Sequence, residues 1–289
     1  MSSEFRPQPQ PAPRYREVSI GHAPVAVTEE HGVLHMRSLE PLAELPARLL
    51  DRLVHWARVR PEQTFIAARQ AGGDWRRVSY REMLDSVRAI AQSLLSYGLS
   101  AHKPLALLSG NDIEHLQVAL GAMYAGIPYC PVSPAYALLS QDFAKLRHVC
   151  DLLQPGLVFV SDAAAYQRAI EAVLPAETPL ICVRGQVPGR SQISFASLLH
   201  TPGGAEAEQA FNATGPDSIA KFLFTSGSTK LPKAVITTQR MLCANQQMLL
   251  QTFPVFGEEP PVLVDWLPWN HTFGAVSYTH LTLPTSDLV

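Results

Sequence analysis

From Leu45 onward the apolar positions of the chain alternate between a helical and an extended rhythm. Leu49, Leu50, Leu53, Val54 and Ala57 recur at helical spacing and stop near Arg60-Pro61. After a turn at Gly72-Gly73, Ser79 stands where a helix N-cap belongs. Tyr80, Met83, Leu84, Val87, Ile90, Ala91, Leu94 and Leu95 then keep one helical stripe up to Gly98, a residue suited to closing a helix. Beyond it the periods swap repeatedly. Residues 104–108 read as a buried strand, Asn111 or Asp112 caps a helix to about Ala125, and residues 127–132 read as a strand. Ser140 is expected to cap a helix carrying Phe143, Leu146, Cys150 and Leu153. A strand over residues 156–160, a helix capped by Asp162 and a strand over residues 179–183 follow. Strands alternating with helices of this length predict βαβ units: an α/β fold whose parallel sheet is covered by helices on both faces.

Two stretches break the pattern. Residues 1–44 form an N-terminal extension, Pro-rich at its start, that reads as an extended arm. Residues 203–216 read as a polar linker. The chain of 289 residues carries 23 Lys plus Arg against 25 Asp plus Glu, which leaves no basic footprint for nucleic acid or for anionic membranes. Its longest apolar stretch, Leu116 to Val132, is broken by Gly121, Gly126, Pro128 and Pro131, so no membrane-spanning helix is expected. The first residues contain no apolar signal-peptide core, and a cytoplasmic location is expected. Cys130, Cys150, Cys182 and Cys243 make no CxxC pair and read as small buried hydrophobes.

Candidate chemistry is concentrated after residue 218. An apolar strand, Phe222 to Phe224, enters the loop Thr225-Ser226-Gly227-Ser228-Thr229-Lys230-Leu231-Pro232-Lys233, and a second apolar strand, Ala234 to Ile236, leaves it. Such a loop offers four hydroxyls, a glycine that permits close approach, backbone N–H groups and two cations, which together suit a polyphosphate. A flexible, solubilising linker would share this composition, but a linker needs neither two flanking strands nor the stiffening of Pro232. The loop is not a Walker A sequence.

The run TSGSTKLPK resembles the phosphate-binding signature of the adenylate-forming superfamily: acyl-CoA synthetases, peptide-synthetase adenylation domains and beetle luciferases. Lys230 replaces the usual glycine, and Gln239 stands where many relatives have histidine. Upstream, Tyr80 and the helix after it resemble the family's opening element, and SGNDIEHLQVALGAMYAGIPYCPVSPAY resembles its N-x-x-E helix and following strand. Downstream, DWLPWNHTFG (Asp265 to Gly274) resembles its P-x-x-H-x-x-G segment. The wording of these motifs and the long preamble are most similar to feruloyl-CoA synthetases.

The resemblance implies that Thr225, Ser226, Gly227, Ser228 and Thr229 wrap the phosphates of ATP, that Lys233 adds charge, and that the Thr225 hydroxyl lies near Mg²⁺. His271 would line the boundary between the ATP and acyl pockets, with Trp269 and Trp266 shaping the wall; without the resemblance, His271 reads equally as a core histidine beside two tryptophans. Met241 and Cys243 read as core residues of the next helix. The implied reaction joins a carboxylic acid, ferulate or a similar hydroxycinnamate, to AMP and then to coenzyme A. Partners are then small molecules, with no nucleic acid and no membrane.

The family pattern is expected to stop at Gly274, so that residues 45–274 are a partial AMP-binding domain and residues 275–289 a non-native tail. On that reading the family's Mg²⁺-binding glutamate, its ribose-binding aspartate and its lid lysine are absent, and the chain alone is inactive. A non-catalytic nucleotide-binding or interaction domain, and a ligase for a fatty acid or another carboxylic acid, are the alternatives.

Overall fold

The computed structural model describes residues 17–22, 24–225, 231–258 and 262–271. In chain order its elements begin with β1 (Val25–Glu30), β2 (Val33–Ser38), α1 (Asp51–Val59), β3 (Thr64–Arg69), β4 (Trp75–Ser79) and α2 (Tyr80–Leu94). They continue with β5 (Leu105–Leu108), α3 (Ile113–Tyr124), β6 (Tyr129–Pro131), α4 (Pro134–Leu138), α5 (Ala144–Leu153), β7 (Leu157–Asp162) and α6 (Ala163–Val173). The last are β8 (Leu180–Arg184), β9 (Gln192–Ser194), α7 (Phe195–Leu199), α8 (Ala205–Ala213), β10 (Ile219–Thr225), β11 (Lys233–Thr238), α9 (Gln239–Thr252) and α10 (Val255–Glu258).

Seven strands form one sheet in the order β11-β10-β6-β5-β7-β8-β9. All its pairs are parallel except β10 with β11. The expected α/β architecture is therefore present, with the loop-flanking strands as a hairpin at one end. Alternation along the central strands feeds two cores. Leu105 and Leu107 of β5 and Phe159 of β7 pack with α2 and α3, whereas Ala106, Leu108, Val158 and Val160 pack with α5 and α6. Close approach of α2 to α3 depends on Gly121, since a Cβ there would lie 2.5 Å from Ile90 Cγ2.

The cap signals work as their chemistry requires. Ser79 and Glu82 form a capping box at the start of α2. Asp112 accepts from His115 N at 2.7 Å and Asp162 from Ala165 N at 3.2 Å. Gly98 closes the α2 region in the left-handed conformation (φ 60°). Ser140 differs slightly: its Oγ accepts from Phe143 N at 3.0 Å, one turn before α5, because Phe143 itself turns left-handed.

Two expectations are corrected. Residues 203–216 are not a polar linker, because α8 occupies most of them. Its Ala207 and Phe211 are buried, with Phe211 stacked on Tyr124 at 4.2 Å between ring centroids. Part of the N-terminal arm is also structured. Strands β1 and β2 pair antiparallel from Val25↔Ser38 to Glu30↔Val33, and nearly all of the hairpin's residues are exposed.

Candidate functional site

Parallel pairing places the C-terminal ends of β5, β6, β7, β8 and β10 on one edge of the sheet. The chain leaves β5 through α3 on one face and reaches β7 through α5 on the other. A crevice outside such a reversal of strand order is where open α/β sheets bind ligands. The turn Ser109–Asp112 stands at that point, and Thr225 ends β10 on the same edge, two strands away.

Of the motif residues, Thr225, Pro232 and Lys233 are brought together at the base of the hairpin. Thr225 and Lys233 are register partners across β10 and β11, so a hydroxyl and a cation flank the two ends of the loop. Pro232 is buried, and its carbonyl accepts a hydrogen bond of 3.0 Å from His148 Nε2 of α5. That bond, added to the fixed φ of proline, settles the direction in which the chain enters Lys233. Ser226, Gly227, Ser228, Thr229 and Lys230 lie outside the described residues.

Trp269 and His271 belong to a separate, irregular segment. Trp269 is buried and meets His115 edge-on, with ring centroids 5.4 Å apart. Asp265 stitches the segment internally, accepting from Leu267 N at 3.0 Å and from Trp269 Nε1 at 3.2 Å. His271 is exposed and its N–H donates to Pro268 O at 3.0 Å. It is therefore not a core histidine. Trp266 is 79% exposed and packs into no wall among the described residues, unlike Trp269.

The core histidine is His115, which the sequence pattern did not single out. Its Nδ1 lies 2.6 Å from Ser109 Oγ, and its Nε2 has no hydrogen-bond partner among the described residues. Burial, with the positive charge of Lys221 adding to it, pushes its pKa down to about 3. Lys221, fully buried on β10 and in register with Tyr129, is itself brought down to about 7 by burial. Asp112 moves the other way, to about 6, because burial penalises its carboxylate more than the His115 N–H and nearby arginines favour it. All four cysteines are buried, as expected of small hydrophobes, and burial raises each thiol. Met241, expected in the core beside Cys243, is instead 56% exposed on α9. Among the described residues no helix is long and apolar enough to cross a membrane.

Residues 53–284 match the model of the AMP-binding enzyme family. The chain belongs to this family. One relative, a 3-[(3aS,4S,7aS)-7a-methyl-1,5-dioxo-octahydro-1H-inden-4-yl]propanoyl:CoA ligase of Rhodococcus jostii, is 26% identical over 239 residues, covering 81% of this chain and 45% of that protein. The luciferin 4-monooxygenase of Photinus pyralis is 24% identical over 205 residues, covering 68% of this chain and 36% of that one. Among solved structures, a fatty acyl-adenylate ligase from L. pneumophila, in complex with acyl adenylate and pyrophosphate, superposes with a TM-score of 0.63 at 18% identity. That alignment covers 83% of this chain and 39% of the other, and it supports the fold. The chain thus spans less than half the length of each of these relatives.

Proposed function

We propose that this chain is the front part of an ATP-dependent acid:CoA ligase, in which Thr225 to Lys233 cradles the phosphates of ATP. The observation that carries the reading is the register pairing of Thr225 with Lys233 at the ligand-binding edge of the sheet, within a chain of the AMP-binding family. In this reading a carboxylate oxygen attacks the α-phosphorus, the bond to the pyrophosphate oxygen breaks, and acyl-AMP and pyrophosphate result. The thiol of coenzyme A then displaces AMP and leaves a thioester. An anion attacking an anionic phosphate meets repulsion, so Lys233, the loop hydroxyls and backbone N–H groups carry the stabilisation of charge. His271 faces the acid at the boundary of the two pockets, and Trp269 acts as the buried root of that wall.

Thr225 fits one ligand position of Mg²⁺, since its hydroxyl is a hard oxygen donor at the strand end. Among the described residues there is no group of three His, Cys, Asp or Glu side chains that could hold a metal ion. A bound Mg²⁺ would therefore take its other oxygens from phosphates, water and residues elsewhere, and would supply charge neutralisation there.

The proposed acid is ferulate or a similar hydroxycinnamate, on the strength of TSGSTKLPK and DWLPWNHTFG. The proposed AMP-binding domain begins near residue 45, and the family match runs to residue 284. The test is to assay the full-length protein with ATP, Mg²⁺ and coenzyme A, comparing ferulate with medium-chain fatty acids. Preference for ferulate is expected; preference for the fatty acids would replace the acid class and leave the ligase reading in place.

A further inference from the structure

Residues 262–271 have neither helix nor strand to satisfy their backbone, so their position depends on side chains that reach them. Asn111, at the turn after β5, supplies two such contacts across more than 150 positions of sequence. Its Nδ2 donates to Leu267 O at 2.7 Å, and its Oδ1 accepts from Trp269 N at 3.0 Å. The two backbone groups have opposite polarity, and a carboxamide answers both at once. An aspartate would keep the acceptor and set a second oxygen against the Leu267 carbonyl. Alanine would answer neither.

The same turn grips the segment beneath the clamp. Trp269 packs on His115, and His115 is held by Ser109, two residues before Asn111. Trp269 N, the group bound by Asn111, lies inside the Pro268–His271 turn that places the histidine. Asp112, the neighbouring residue, caps α3, which leaves the Asn111 side chain for this contact.

We propose that Asn111 is a positioning residue of the acid pocket: its carboxamide holds the Leu267–His271 segment at the C-terminal edge of β5 and so sets where His271 meets the substrate. This rests on the reading of His271 given above. Asn111 is itself exposed, so its replacement empties no space within either hydrophobic core. The clamp acts on the acid pocket, while the hairpin that carries Lys233 is held separately by His148.

The experiment uses the full-length enzyme with Asn111→Ala, Asn111→Asp, His271→Ala and the Asn111→Ala/His271→Ala double variant. Steady-state kinetics would be run with acid and ATP varied in turn, and thermal unfolding would be recorded for each. Asn111→Ala and Asn111→Asp are each expected to raise the KM for the acid or lower kcat/KM for it about tenfold, the scale of one to two hydrogen bonds. The KM for ATP should stay within about twofold, since the phosphate loop has its own support. The double variant should be no worse than His271→Ala alone, because the two residues act through one position. Equal losses for acid and ATP, or effects of the two residues that simply multiply, would overturn the proposal. If His271→Ala itself leaves acid kinetics unchanged, the reading of His271 fails instead, and an Asn111 effect would then belong to Trp269 alone. Should Asn111→Ala unfold the enzyme, Asn111→Asp, which keeps the bond to Trp269 N, carries the same test.

Discussion

Thr225 and Lys233 face each other across β10 and β11, which closes the seven residues between them into a loop with a hydroxyl at one foot and an ammonium at the other. In the proposed enzyme that ammonium meets the polyphosphate. Lys233→Ala should raise the KM for ATP or cut kcat by an amount on the order of 1.5–3 kcal/mol, the worth of a hydrogen bond to a charged group. Lys230→Gly should cost much less, since the signature that this loop resembles has an uncharged glycine there. Steady-state kinetics of both variants with acid at saturation check this; a larger loss from Lys230→Gly would reassign the phosphate contact.

His148 holds the same loop from outside. Its Nε2 donates to Pro232 O at 3.0 Å, one residue before Lys233. His148→Ala removes that support without removing charge from the loop. Its expected effect is a loss of about 0.5–1.5 kcal/mol, confined to ATP handling. Kinetics with ATP and acid varied separately decide it, and an effect on acid KM alone would contradict the assignment.

These two histidine and lysine positions differ in how readable they were. Lys233 sat in a motif, whereas His148 and Asn111 act on residues 84 and 156 or more positions away, which no local pattern can display. The capped helices and parallel strands were legible because Ser79, Asp112 and Asp162 satisfy N–H groups three residues on. Helix α8 carries little signal for the opposite reason: only Ala207 and Phe211, four residues apart, mark its buried face within a polar stretch. Lys221 and His115 are not marked in the sequence, because a single polar residue in an apolar run carries no periodic signal.

Phe211 makes the correction about α8 measurable. It stacks on Tyr124, and the Arg48 guanidinium lies 4.0 Å from its ring centroid while donating to the Phe211 carbonyl at 2.9 Å. Phe211→Ala should destabilise the fold by about 3–5 kcal/mol, the usual cost of emptying a buried aromatic site. Denaturant unfolding tests it; a loss near zero would return residues 203–216 to the status of a linker.

His115 should make the fold sensitive to acid. Its imidazole titrates near 6.5 in the unfolded chain and near 3 when folded, so the unfolded state binds more protons between these values. Its contribution is complete above about pH 6.5 and is lost as the pH falls toward 3, at a slope on the order of 1 kcal/mol per unit. Asp112 acts in the opposite sense between its usual value of 3.8 and about 6. Comparing His115→Gln with the parent chain isolates the histidine. Denaturation midpoints at pH 7 and pH 5 should differ less in the variant, and an equal difference would contradict the assignment.

Acid-dependent exchange of labelled pyrophosphate into ATP reports acyl-AMP formation directly. With the full-length protein, exchange is expected only when the carboxylic acid is present, and Lys233→Ala should depress it strongly at subsaturating ATP. Exchange that ignores the acid, or an acid-dependent turnover that releases ADP and orthophosphate in place of AMP and pyrophosphate, would contradict the adenylate-forming reading of this chain.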